Sequence, residues 1–436
     1  MTTPRPTARP SAPPPLSILV AGAPPGSNLA SILAPLGAVE AHEDPKAALV
    51  AVANGARPTT LLVHAGGGLG ALDVLRGLKG LLGPAMPPAI ALLEPYEERL
   101  MAPVLEAGAA DAVLLPFRPA DLLARVRARS RAQPTGTPSP RSLRPEAFDR
   151  APNRPLTEDG GWVFGPRVLV ADLGRGGLAR VLKGVRLDDG SLAAVKLLDP
   201  QVAAQDEDWS RRFAREQRIL KGIEDEHLVR IRDVGTLDGI PYLDMDFFAG
   251  ETLDQLIQRL RTLSEDRALD VAMQVARGLE ALHVRRIIHR DVKPENVLVD
   301  ESGRVRLCDF GLSKPQDVAA LTHEGEILGT AVFIAPETLR GAPPSAASDV
   351  YALGITLFEM LTGEDAIEPG PTQVMFQNAV RGEAQRRALQ RVPERLRAVV
   401  SRMLAVKPED RYASTGELVR DLERLRQTAS RRLKRP

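Results

Sequence analysis

Ile287-Ile288-His289-Arg290-Asp291-Val292-Lys293-Pro294-Glu295-Asn296-Val297-Leu298 sets three chemically active side chains, Asp291, Lys293 and Asn296, between two apolar, strand-like runs. Pro294 has no backbone N–H and cannot sit in a regular helix interior, so the polar groups are expected on a loop. Downstream, Leu307-Cys308-Asp309-Phe310-Gly311 places another acid at a strand end, with Gly311 freeing the backbone. Asn296 and Asp309 offer hard oxygen ligands of the kind Mg²⁺ takes when it bridges phosphates. Asp291 is left as a base beside a nucleophilic hydroxyl.

Working towards the N-terminus, Ala193-Ala194-Val195-Lys196-Leu197 puts a lysine inside an apolar strand, where it needs an anion or solvent. The helical stretch around Arg211–Gly222 brings Phe213, Glu216 and Leu220 onto one face, so Glu216 is a carboxylate on an apolar stripe. Lys196 is its obvious partner, and an ordinary internal ion pair is the competing reading. Leu173-Gly174-Arg175-Gly176-Gly177-Leu178-Ala179-Arg180-Val181 is a glycine-rich turn. Taken alone it fits a hairpin as well as a phosphate cradle.

Taken together, these stretches resemble the serine/threonine protein kinase family, most closely its bacterial, Hanks-type branch. The similarity runs from about Trp162 to Arg426 and includes Ala335-Pro336-Glu337, all in order. It implies an α+β bilobal protein kinase domain over 161–428 that transfers the ATP γ-phosphate to Ser or Thr of protein substrates, with Mg²⁺, or Mn²⁺ in its place. By that resemblance Leu173–Val181 cover the ATP phosphates. Lys196 contacts the α- and β-phosphates, held by Glu216. Asp291 takes the proton of the substrate hydroxyl and Lys293 steadies the γ-phosphate, while Asn296 and Asp309 bind the metal. Met245 gates the back of the adenine pocket, with Asp246, Phe247 and Phe248 as the hinge. Val181, Ala194 and Leu298 sandwich the adenine. Asp349 braces the catalytic loop, and Glu337 pairs with Arg411.

Two departures from the family pattern stand out. Ala179 replaces the third glycine of the loop, and is the one support for a pseudokinase scaffold. The segment Asp309–Glu337 holds few hydroxyls: Ser313, Thr322 and Thr330. Thr330 resembles the family's structural threonine. Thr322 is the candidate phosphorylation site, with Arg290 available to order the phosphate and Glu324 and Glu326 nearby. Ala335-Pro336-Glu337 argues against a small-molecule kinase. Cys308 reads as an inert, buried thiol.

The remaining sequence sets the boundaries. The 436 residues carry 57 Lys and Arg against 56 Asp and Glu, a formal net charge of +1, which gives no overall argument for nucleic acid or an anionic membrane. A hydrophobic share of 44% with 26% charged residues is ordinary globular composition. The single cysteine excludes an intramolecular disulfide framework. No uninterrupted apolar run approaches the roughly 18 residues of a membrane helix, and the six prolines of residues 1–15 read as a disordered arm rather than a signal peptide, so a cytoplasmic protein is expected. In residues 16–131, short apolar runs at Ile18–Val20, Leu61–Val63, Ile90–Leu93 and Ala112–Leu115 alternate with helical patterns, and a weaker strand near Ala38–Ala41 completes five βα units. That is a parallel α/β domain, and it resembles the flavodoxin-like receiver of bacterial response regulators. The receiver's acidic pair falls here on Ala21-Gly22-Ala23, its phosphoacceptor on Val63 or His64, its hydroxyl on Leu93 and its lysine on Leu115. A receiver-like domain without phosphotransfer chemistry is therefore expected, with protein binding as its role, homodimerisation included. His64 reads as structural, and Ala65-Gly66-Gly67-Gly68 as a flexible loop. Residues 132–160 read as an extended linker, with an upper reach of about 90 Å, that can hold the two domains close without fixing their geometry. The basic end, residues 429–436, reads as a solvated tail.

Overall fold

The apolar runs of the first third form β1 (Leu16–Ala21), β2 (Gly37–His42), β3 (Thr60–Val63), β4 (Ala89–Leu93) and β5 (Asp111–Leu114), a parallel sheet of order β2-β1-β3-β4-β5. Between them run α1 (Leu29–Leu33), α2 (Pro45–Ala53), α3 (Ala71–Leu82) and α4 (Met101–Glu106), and α5 (Pro119–Arg129) follows. Side chains alternate across a strand, and here both faces are apolar, so helices must cover both. Leu19, Leu61, Val63 and Ala91 pack with Leu49, Val52, Leu75 and Val104 on one side. Ile18, Val20, Leu62 and Leu92 pack with Leu29, Leu33, Leu122 and Val126 on the other. The side chain of Asp44 caps α2 by accepting from the Lys46 N–H at 3.0 Å. The computed structural model describes residues 15–24, 26–66, 68–130, 137, 139–145, 160–176, 179–201, 219–309 and 332–433.

β6 (Trp162–Phe164), β7 (Arg167–Arg175), β8 (Ala179–Arg186), β9 (Leu192–Leu198), β10 (Ile231–Leu237) and β11 (Ile240–Asp246) make a second sheet, ordered β10-β11-β9-β8-β7-β6. Part of the stretch expected to be a free linker belongs to it. The Leu143 N–H donates to the Val163 carbonyl at 2.9 Å, the Val163 N–H to the Arg141 carbonyl at 2.8 Å, and Arg141 stacks over Trp162 at 4.0 Å. Leu143 is 1% exposed in a cluster with Phe164, Leu182, Val195 and Ile240. Composition concealed this, because one leucine among prolines and arginines carries no periodicity.

The rest is mainly helical: α6 (Leu253–Leu260), α7 (Glu265–His283), α8 (Pro336–Leu339), α9 (Ala346–Thr362), α10 (Thr372–Val380), α11 (Glu383–Arg391), α12 (Glu394–Met403) and α13 (Thr415–Leu433). Three short strands, β12 (Glu251–Thr252), β13 (Val297–Val299) and β14 (Val305–Leu307), form a sheet in that order. α9 is almost wholly buried and stops at Gly363, whose φ of 65° favours glycine and whose N–H returns to the Glu359 carbonyl. α13 runs to Leu433, into the stretch expected as a solvated tail. By compactness the chain divides into two units, residues 1–203 with 235–244, and residues 204–234 with 245–436. Among the described residues no helix is long and apolar enough to cross a membrane.

Candidate active site

Asp349 organises the loop that carries Asp291. It stands in the first turn of α9 at 1% exposure, where an unpaired carboxylate would be costly. It accepts from the backbone N–H of His289 at 2.8 Å, from that of Arg290 at 2.9 Å and from His283 Nε2 at 2.8 Å. Arg290 takes a φ of 71° between these anchors, a strained conformation held by its surroundings. His289 is fully buried, and burial pushes its imidazole below the usual range, so it stays neutral. Its Nδ1 accepts from the Asp291 N–H at 3.2 Å, which makes Nε2 the donor to the Cys308 carbonyl at 3.1 Å. One ring thus ties the Asp291 backbone to the residue before Asp309.

The Asn296 Nδ2 group donates to the Asp291 carbonyl at 2.7 Å and to Asp291 Oδ2 at 2.8 Å. Lys293 Nζ lies 3.1 Å from the same oxygen. With the Asn296 amide nitrogen committed to Asp291, its oxygen is left as the ligating atom. The Cys308 N–H donates to the Asn296 carbonyl at 2.9 Å, and Asp309 follows with a φ of 60°. A neutral and an anionic oxygen donor on two tied loops fit a hard divalent cation that keeps waters and takes phosphate oxygens. Among the described residues no group of three or more His, Cys, Asp and Glu could hold a metal. Leu298 lies on β13 opposite Thr252 and Arg306. The Met245 side chain is buried, Asp246 Oδ1 accepts from Arg232 at 2.7 Å, and Arg306 stacks on Phe248 at 5.3 Å.

In the other unit, the glycine turn joins β7 to β8. Gly174 pairs with Val181 and Arg175 with Arg180, and the Gly176 N–H donates to the Ala179 carbonyl at 2.9 Å. Gly174 and Gly176 face open space, and Leu173 and Arg175 are exposed. Val181 stands opposite Lys196 and Lys183 opposite Ala194, so Val181, Lys183, Ala194 and Lys196 share one face of the β8–β9 pair. Arg180 is buried at 4% exposure and belongs to the opposite face. Gly177, Leu178 and Glu216, with residues 310–331 and their Ser313, Thr322 and Thr330, lie outside the described residues.

The sequence profile of the protein kinase domain matches residues 168–421, more than half of the chain. The chain belongs to the protein kinase domain family. The serine/threonine-protein kinase PknH of Mycobacterium tuberculosis is 34% identical over 260 residues, 59% of this chain and 41% of that one. The serine/threonine-protein kinase PrkC of Bacillus subtilis is 30% identical over 260 residues, 57% of this chain and 40% of that one. The chain spans about two fifths of the length of these curated relatives. A solved structure of Rad53 residues 1–466 with AMP-PNP shares 23% identity, with 57% of this chain and 62% of that one covered and a TM-score of 0.48.

Within this kinase domain, Arg411 closes the expected pair with Glu337 through two bonds of 2.7 Å, and it also donates to the carbonyls of Ala405 and Ala347. The sequence reading missed His283, the third partner of Asp349, since a histidine ending a helix carries no signal of its own. It also missed Glu359 on α9. Burial, and then the carboxylates of Asp365, Glu295 and Asp254, push the Glu359 carboxyl up to about 8 from an ordinary 4.5. Between those two values the folded kinase domain holds a proton that the unfolded chain has lost, so this group's share of stability is present at acid pH and falls as pH rises through 8. Glu359→Gln is expected to raise the melting temperature over wild type by more at pH 8 than at pH 5. Equal gains at both values in thermal melts would contradict it.

Proposed function

We propose that the chain is an ATP-dependent protein serine/threonine kinase. The observation that carries the reading is the Asp291–Asn296–Lys293 cluster, tied through His289 and Asp349 to the strand end bearing Asp309. Asp291 receives the proton of the acceptor hydroxyl and aims its oxygen, while Lys293, within reach of the same carboxylate, meets the transferred phosphoryl group. Asn296 and Asp309 hold Mg²⁺, which neutralises charge on the phosphates when bound. Val181, Ala194, Met245, Asp246, Phe248 and Leu298 receive the adenine, and Lys196, partnered by Glu216, the phosphates. Transfer of label from ATP to serine or threonine of protein acceptors, identified by phosphoamino-acid analysis, tests the reading. Label confined to tyrosine would overturn the hydroxyl specificity.

Ala179 supplies a second test. Its methyl group stands where the family has hydrogen, on the first residue of β8, where the chain leaves the turn. Ala179→Gly is expected to tighten ATP binding a few-fold without being needed for turnover. A wild type inactive until this change is made would favour the scaffold reading.

The N-terminal sheet supports a flavodoxin-like, receiver-like domain devoid of phosphotransfer. Where β3 ends, His64 Nδ1 lies 3.0 Å from the Gly22 carbonyl and Nε2 lies 3.5 Å from Glu94. Neither candidate for the phosphoacceptor position, Val63 or His64, is an aspartate, and no acidic pair follows β1. Protein binding, homodimerisation included, is then the domain's proposed role.

A further inference from the structure

The N-terminal domain and the kinase domain's sheet share one apolar core inside the first unit. Val168, Val170 and Val185, all fully buried, pack with Val74, Leu75 and Leu78 of α3, and Val163, Leu187 and Leu192 border them. The approach is close enough to require glycine on both sides. A Cβ on Gly80 would lie 2.8 Å from the Gly161 backbone, and one on Gly161 would lie 2.6 Å from the Arg76 carbonyl oxygen. The Gly161 N–H donates to that Arg76 oxygen at 2.8 Å, and the Arg141 N–H donates to the Gly80 carbonyl at 2.8 Å. Asp73, in the first turn of α3, accepts from Lys183 Nζ of β8 at 3.1 Å, with the two side chains 17% and 12% exposed. This corrects the expectation of two domains held near each other in no fixed geometry. A buried seam with main-chain bonds and a shielded ion pair defines one.

The strand register gives the seam a consequence. Val181, Lys183 and Val185 alternate onto one face of β8, and Val181 and Lys183 stand opposite Lys196 and Ala194. The face that α3 grips at Lys183 and Val185 is therefore the face that carries the nucleotide-binding candidates, about 7 Å further along the strand. We infer that the N-terminal domain is a fixed brace on the ATP-binding sheet, with Asp73 and Lys183 as positioning residues that set where Val181, Ala194 and Lys196 stand. The nucleotide half of this inference rests on the kinase reading; the brace itself does not.

The test uses the full chain. Gly80→Val keeps a side chain that α3 can accommodate but drives it into the Gly161 backbone. Amide hydrogen exchange without nucleotide is expected to show Val168–Val170 and Leu182–Val185 losing protection by about tenfold or more, and the affinity for AMP-PNP is expected to fall several-fold. Asp73→Lys and Lys183→Asp are each expected to weaken AMP-PNP binding, and the double exchange to restore it. That rescue stays readable should Gly80→Val misfold. Unchanged strand protection in Gly80→Val, or single charge reversals that bind AMP-PNP as wild type does, would overturn the brace. A wild type that binds no AMP-PNP while the exchange result holds would overturn the kinase reading and leave the brace standing.

Discussion

Asp291→Ala is expected to lower phosphoryl transfer by about 10²–10⁴-fold, the range for removing a positioned general base, while leaving the affinity for AMP-PNP near that of wild type. The split follows from geometry. Asp291 is aimed by its own backbone N–H on His289 Nδ1 and by the Asn296 amide on its carboxylate. In the proposed reaction it serves the acceptor hydroxyl, so the loss is expected in kcat and not in ATP binding. Asp291→Asn retains an oxygen for Asn296 and Lys293 but has no basicity, and should fall nearly as far. Steady-state kinetics with ATP varied separates the two constants. Equal turnover by wild type and both variants would remove Asp291 from the chemistry.

Asp244→Ala is expected to cost about 3–5 kcal/mol of stability, the range for stranding a buried charge, and so to lower the melting temperature by about 10 °C. Asp244 is 1% exposed on β11 and lies between Arg167 of β7 and Arg186 of β8, themselves 5% and 6% exposed. Arg186 Nε reaches its two oxygens at 3.1 and 3.2 Å, and Arg167 Nε bonds to Oδ2. Arg186 also donates to Ser191 Oγ and the Leu192 carbonyl. Removal of the carboxylate leaves two guanidinium groups buried without their shared anion. Replacing the set together, as Arg167→Met, Asp244→Leu and Arg186→Met, should cost far less than Asp244→Ala alone, because no charge is then stranded. Similar melting temperatures for wild type and Asp244→Ala would show that the three strands are held by packing alone.

How much of this was legible in the sequence depends on whether the signal was local. The five parallel strands could be read because their runs, such as Leu61–Val63, are apolar on both faces and are punctuated by helical periods. The loop bearing Asp291 could be read because Pro294 forbids a helix there and its polar groups stand between apolar runs. The expected Glu337–Arg411 pair forms across 74 residues, but it was legible only through the family resemblance. The Arg167–Asp244–Arg186 set was illegible, since an acid inside Ile240–Asp246 gives no hint of which cations it will meet. The seam between α3 and the second sheet was equally hidden. Gly80 and Gly161 look like breakers in sequence, and only the approach of a second backbone shows why side chains are missing there. Pro and Arg around Leu143 suggested a spacer, while the hydrogen bonds that dock 139–145 are made by backbone and leave no mark in composition.

The most direct measurement of the central claim is phosphosite mapping by mass spectrometry of the purified full chain, alone and with a generic protein acceptor, after incubation with ATP and Mg²⁺ beside an Asp291→Ala control. The account predicts acid-stable phosphate on serine or threonine in the wild-type samples and near absence in the control. Wild-type protein that binds AMP-PNP yet places no phosphate on itself or on the acceptor would contradict it, leaving a nucleotide-binding scaffold in place of a kinase.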